Sequence, residues 1–257
     1  MKQLQLTVLA LLIGSAALAQ TSFEGGIKGA GTFTNGHTTI PPIAISSLAT
    51  IPQIENKGNG TGTGYSFGLW GRKNFNSFYV QVEATYNNYK LFQKADLTIP
   101  AALAFGIAGT SLPAQIPAST PTAIAITSES ILESVNVPIL FGKKFANDRV
   151  RVFVGPNLLF TTKATATRNN LATIGTNSLS FPQTSSDLKN PNPNDPTQVA
   201  LEVKPFTYAA EVGVGYTLAR ILDIDARYAV PVGGIYKNKD IKGYLGIASL
   251  SLGLKLF

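Results

Sequence analysis

Seven ionisable residues, Lys28, Arg72, Glu83, Arg151, Glu211, Asp225 and Arg227, occupy alternate positions of segments whose opposite parity holds large apolar side chains. Successive side chains of an extended chain point to opposite faces, so these groups would all turn away from the apolar rows into a common interior. Charges confined there must pair, because each unpaired one loses several kcal/mol of hydration. A salt-bridge network that fixes the interior is the first chemistry open to such a set, and a proton or ion path is the second. Paired carboxylates could also serve hydrolysis or hold a metal. Asp223 and Asp225 share one face, but Arg227 follows on that face and would neutralise them, so no metal site is assigned. The run Asn190-Pro-Asn-Pro-Asn-Asp-Pro196 offers oxygen donors, yet its composition is that of solvated turns. A serine or water nucleophile usually needs a histidine base. The one histidine, His37, stands at the start of a loop with no acid near it in sequence, so no catalytic residue, cofactor or enzyme activity is expected.

Strands must position these groups. Eight segments alternate with period two: 23–34, 65–72, 78–89, 131–145, 149–161, 206–218, 222–230 and 245–257. In 78–89, Phe78, Val80, Val82, Ala84 and Tyr86 oppose Tyr79, Gln81, Glu83, Thr85 and Asn87. In 206–218, an aromatic-ended stripe from Phe206 and Tyr208 to Tyr216 and Leu218 opposes Thr207, Glu211, Gly213 and Gly215. Tight links near 73–77, 146–148 and 219–221 alternate with long ones at 35–60, 90–130, 162–204 and 231–242.

The chain opens with a basic start (Lys2), an apolar run (4–13) and Ala17-Leu18-Ala19, which together read as a cleaved signal peptide over 1–19. No later stretch suits a membrane helix, because the charge-free run 97–126 is broken by Pro100, Pro113, Pro117 and Pro121. Cysteine is absent, so an exported chain must hold together without disulfides. Charged residues make up 14% of the chain, against about 25% in ordinary soluble domains. The net charge of +7 is not gathered into any Lys/Arg run longer than two, so nucleic acid is not an expected partner. The fold class expected is all-β: an eight-stranded antiparallel up-and-down transmembrane β-barrel with long extracellular loops, spanning residues 20–257 and placed in the outer membrane.

Several phrases carry a family resemblance. Phe23-Glu-Gly-Gly-Ile-Lys-Gly-Ala-Gly-Thr-Phe-Thr-Asn35 resembles the opening strand of the PorT-like outer-membrane beta-barrel proteins of Bacteroidetes. Val135-Asn-Val-Pro-Ile-Leu-Phe-Gly-Lys-Lys-Phe145 resembles their central Pro-Leu-Leu strand, and Phe153-Val-Gly-Pro-Asn157 the Gly-Pro strand after it. Asp223-Ile-Asp-Ala-Arg-Tyr228 resembles the penultimate strand. The resemblance implies an eight-stranded outer-membrane barrel. It implies no single activity, because members with roles in secretion or gliding sit among many with none.

The last strand places Leu250, Leu252, Leu254 and Leu256 on a lipid-facing row, with Phe257 one place out of the alternation. Leu254, Leu256 and Phe257 are read as a signal for the barrel assembly machinery, with Phe257 at the rim rather than in the ladder. The charge-free loops 39–51 and 97–126 either fold over one another as a cap or dock a protein partner or outer-membrane lipid. The function expected is a non-enzymatic outer-membrane barrel with a structural or interaction role, such as an accessory to secretion or envelope assembly. The alternatives are a small-solute or ion pore, a barrel hydrolase and a soluble exported sandwich.

Overall fold

The computed structural model describes residues 23–46, 49–175 and 177–257. The signal peptide read over 1–19 lies outside the described residues. In chain order the strands are β1 Phe23–Ile40, β2 Ile43–Ser46, β3 Ala49–Ile51, β4 Ile54–Gly58, β5 Gly62–Phe75 and β6 Phe78–Pro100. They continue with β7 Pro121–Phe145, β8 Val150–Ile174, β9 Asn177–Ser180, β10 Thr184–Asp187, β11 Phe206–Leu218, β12 Leu222–Val232 and β13 Lys242–Lys255. Among the described residues two short helices, α1 Ala101–Ile107 and α2 Pro196–Ala200, lie outside the sheet.

Eight of these strands close a ring, β1–β5–β6–β7–β8–β11–β12–β13 and back to β1, antiparallel at every step. Closure leaves no edge, which is the condition for strands in hydrocarbon. Three tight turns join strands at one rim, through Asn76 (φ 52°), Ala146 to Asp148 (φ 50°, 55° and 66°) and Ala219 with Arg220 (φ 49° and 63°). The turn expected over 73–77 is tighter than that: Lys73, Asn74 and Phe75 remain paired in β5.

The outward face of the lower barrel is the membrane surface. Ile27, Leu69, Val82, Val154, Val212, Leu250 and Leu252 are 46–58% exposed. Aromatic side chains border this band: Phe23, Phe75, Phe78, Phe145 and Phe257 near the turn rim, and Phe33, Tyr65, Phe160, Phe206 and Tyr208 above it. Phe23 and Phe33 are ten residues apart on β1. At about 3.3 Å per residue and a tilt of roughly 40°, that spacing spans about 25 Å, the height of an outer-membrane apolar band.

The strands do not stop at the upper aromatic row. β7 and β8 have 25 residues each, where a membrane strand needs about 9–11. Much of what was expected as loop in 90–130 and 162–204 is therefore a sheet standing above the membrane. Alternation continues through it, but the polarity inverts. On β6, Phe78 and Val82 face out and Glu83 and Asn87 face in; higher up, Ala95 and Ile99 face in and Lys94, Asp96 and Thr98 face out. On β13, Leu245 and Ile247 turn inward while Leu250 and Leu252 turn outward, so the terminal segment does not have one apolar face along its whole length.

This inversion also corrects the reading of 39–51 and 97–126 as loops. Leu97 to Pro100 pair with Pro121 to Ile124 in a long hairpin, α1 sits at its tip, and Ile43–Ser46 pairs antiparallel with Ala49–Ile51 as β2 and β3. Their apolar side chains pack inward, Ile99, Ala104 and Ile124 with Phe181, and Ile40 with Leu188 and Leu201. The two segments join different clusters, 39–51 one with Leu188 and Leu201 and 97–126 one with Phe181. β4 extends the ring between β1 and β6 above the end of β5, and β10 continues along β8 above the end of β11.

His37 is also placed differently from expectation. It lies within β1 opposite Tyr244, exposed on the outward face, with ring centroids 5.4 Å apart.

The closing seam reaches the last residue. Gly25 N–H donates to the Phe257 carbonyl (3.1 Å) and Leu256 N–H donates to the Gly25 carbonyl (2.8 Å). Phe257 lies two residues past the end of β13, at the rim and outside the ladder, where that bond ties it to β1 and its ring stacks on Phe23 at 6.1 Å. Phe257→Ala should keep the backbone bond and lose the ring contact, lowering stability by about 1 kcal/mol. Deleting Phe257 should cost more, because the Gly25 N–H then loses its acceptor. Urea unfolding in lipid vesicles, followed by the fluorescence of the single tryptophan Trp70, measures both; equal losses would contradict the seam.

Candidate functional site

The lumen of the membrane-embedded half is filled by ion pairs. Lys28 Nζ lies 2.9 Å from Glu83 and 3.2 Å from Asp225. The Arg227 guanidinium reaches Glu83 (2.7 Å), Asp225 (2.8 Å) and Glu211 (3.0 Å). Arg151 Nη2 donates to Asp225 at 2.8 Å and its Nη1 stands 2.8 Å from Asp223. Arg72 bridges Asp223 (2.7 Å) and Glu24 (3.0 Å), and Lys255 closes the lower end on Glu24 at 3.0 Å. The groups come from β1, β5, β6, β8, β11, β12 and β13, so only a closed barrel brings them together.

All seven residues expected inside therefore meet in one network: Lys28, Arg72, Glu83, Arg151, Glu211, Asp225 and Arg227. That set holds four cations and three carboxylates, and the additional members restore the balance. Asp223, read from sequence as neutralised by Arg227, instead joins Arg72 and Arg151, and the Glu24–Lys255 pair brings the totals to five and five. Neutral groups complete the shell: Arg72 Nε donates to Gln81, Gln81 donates to Glu83, Asn157 donates to Glu211 and Thr217 donates to Asp223.

Aromatic rings fill the remaining width. Arg72 lies 4.8 Å from the ring centre of Trp70 and 5.0 Å from that of Tyr79, and Arg227 lies 4.9 Å from that of Phe153. Between Lys28, Glu83, Arg227 and Ser251 the free space is about 40 Å³, room for about three waters. Glycine makes such close filling possible. A Cβ on Gly215 would stand 2.4 Å from Asp225 Oδ1 and 2.9 Å from Arg151 Nη2, and one on Gly213 would stand 2.4 Å from the Phe153 ring. The sequence reading placed both glycines on the inward face, but the partners they make room for became visible only with the cross-strand register.

Above the network, Tyr89, Leu159, Ala209, Ala229 and Ile247 form an apolar plug. No helix among the described residues is long and apolar enough to cross a membrane. The crossing is made by the strands, with a dry apolar outside and a paired, charged inside.

Residues 18–237 match the family described as outer membrane protein beta-barrel domain. The chain belongs to that family. Its location is the outer membrane. No curated protein matches the chain. Among solved structures it is similar to Neisserial surface protein A, with 12% identity over 90% of this chain and 97% of that one and a TM-score of 0.35. It is also similar to Ail, the attachment invasion locus protein of Yersinia pestis (11%, 90% and 99%, TM-score 0.31). The outer membrane protease OmpT of Escherichia coli is a further similar structure (8%, 93% and 98%, TM-score 0.40).

Removing one charge should be far worse than removing a pair, because the partner is left buried and uncompensated. Arg227→Leu strands parts of Glu83, Asp225 and Glu211 together and should cost about 3–5 kcal/mol. Gly215→Val overpacks the same place and should cost about 1–3 kcal/mol. Both are read as a lower urea midpoint of Trp70 fluorescence in vesicles, and an unchanged midpoint for Arg227→Leu would show that the network does not hold the barrel.

Proposed function

We propose that this protein is a non-enzymatic, non-conducting outer-membrane barrel with a structural or interaction role, an accessory of secretion or envelope assembly. The observation that carries this reading is the charge core: ion pairs, rings and the apolar plug occupy the described lumen from Glu24 up to Ile247. A lumen so filled supports an anchor more than a small-solute or ion pore. The order in which the PorT-like phrases fall on β1, β7, β8 and β12 supports membership in that Bacteroidetes group within the wider family. The outward position of His37 beside Tyr244, away from the lumen carboxylates, supports the reading without hydrolysis.

Partners follow from the surfaces. Outer-membrane lipid covers the apolar band, and the barrel assembly machinery reads the terminal strand through Leu254, Leu256 and Phe257. A protein partner is met at the tips of the extracellular sheet, where Ile45, Ile107 and Leu179 remain exposed. Single-channel recording in planar bilayers tests the central point. The full chain should give no stepwise current, and discrete conductance steps from it would favour the pore. Photo-crosslinking from position 107 in native outer membranes should give a discrete adduct with one protein; labelling of lipid alone would remove the protein partner.

A further inference from the structure

The extracellular half encloses a chamber of about 360 Å³, within the size range of small-molecule sites. Its walls are mainly apolar, with Ile40, Ile54, Leu97, Ile124 and Phe181 among them. Its charged lining groups are Arg168 and Asp195, and they are not equivalent. Asp195 caps α2: it accepts from Thr197 N–H (2.9 Å), Thr197 Oγ1 (2.6 Å), Gln198 N–H (3.4 Å) and Gln198 Nε2 (3.0 Å). Burial raises the pKa of its carboxyl, but these hydrogen bonds outweigh that and leave it below the ordinary aspartate value. The Arg168 guanidinium forms no ion pair or side-chain hydrogen bond among the described residues, and the Tyr236 phenol and the Asp195 carboxylate act on it only from a longer range. The guanidinium carries five N–H donors in a fork that matches a carboxylate.

Arg168 faces the chamber because of a defect in the sheet. Opposite Glu133 and Ser134, β8 supplies Lys163 and Thr161, so Thr162 is an extra residue. Such a bulge shifts the phase of every side chain beyond it. Below it Arg151, Phe153 and Leu159 face in; above it Ala164, Ala166 and Ala172 do, and Arg168 falls on the same row. The alanines leave the space that the guanidinium and the apolar walls enclose.

We propose that this chamber binds a single-chain amphipathic carboxylate, its carboxylate on Arg168 and its hydrocarbon against the isoleucine walls. The site does not lead into the barrel, since the apolar plug of Tyr89, Leu159 and Ile247 lies beneath it. It is a holding site open to the extracellular half, and it does not depend on which protein partner the tips meet.

Equilibrium dialysis of labelled decanoate against the full chain in phosphatidylcholine nanodiscs tests the proposal, with empty discs as the blank. Saturable binding at one decanoate per chain is expected, weakened at least tenfold by Arg168→Gln and to an intermediate degree by Arg168→Lys, which keeps the charge and loses the fork. Decanol should bind Arg168→Gln and wild type alike. Ala166→Phe, which fills the chamber, should abolish binding while the protein keeps its heat-modifiable migration in gels. No saturable binding above empty discs, or equal decanoate affinity in Arg168→Gln, would overturn the proposal. Loss of decanoate binding when phosphatidylglycerol replaces phosphatidylcholine would assign the site to a lipid headgroup and overturn the free carboxylate as its ligand.

Discussion

Every backbone donor and acceptor in hydrocarbon must find a partner within the protein, and the closed ladder is how this chain meets that demand. Eight strands satisfy it with the seam between β1 and β13, running from Thr39–Lys242 down to Gly26–Lys255. Once eight strands close, the bore is fixed at a width that side chains fill. The charge core, the inward glycines and the apolar plug all follow from that width. A wider ring would let water screen Arg151 and Arg227, and neither would need several carboxylates around it.

Narrowness also explains why charges are used there at all. The lipid takes the large apolar side chains on the outside, so period two leaves the alternate positions for the inside. Filling them with Leu and Phe would make strands apolar on both faces, a poor substrate for export through an aqueous periplasm. Charged and polar groups keep the chain soluble in transit, and pairing them inside the ring recovers the desolvation cost. The balance of five cations and five carboxylates is what permits it.

The barrel was legible because alternation is a local signal. Within the membrane each strand has one apolar face and one face of small or charged residues, and all seven lumen residues could be assigned from parity alone. Asp223 was misassigned because pairing is not local: its neighbour on the strand is Arg227, but its partners Arg72 and Arg151 come from β5 and β8. The extracellular sheet was hidden for a different reason. Above the membrane the solvent outside is water, so the apolar parity moves to the inside, and a reader following the outward apolar row sees it end at about Tyr86 or Val135. Proline strengthened that impression. Pro100 and Pro121, which rule out a helix, sit opposite one another at the end of the β6–β7 hairpin, where the missing N–H is tolerated.

The bulge at Thr162 joins these two regimes. On β7 the inward parity is unbroken from Leu140 through Asn136 to Ile124, and the change from polar to apolar filling needs only a change of residue type. On β8 the chain shifts its phase, so that odd positions fill the narrow lumen and even positions line the chamber. Without the extra residue, Lys163, Thr165 and Thr167 would face inward and the alanine row would face water. The chamber would then hold another layer of polar side chains, as the lumen does. One inserted residue therefore separates a filled barrel from a cavity, and it does so at the height where the membrane ends. The extracellular half can for that reason change its lining without disturbing the ion pairs below, since the apolar plug at Tyr89, Leu159 and Ile247 shares no charged member with either.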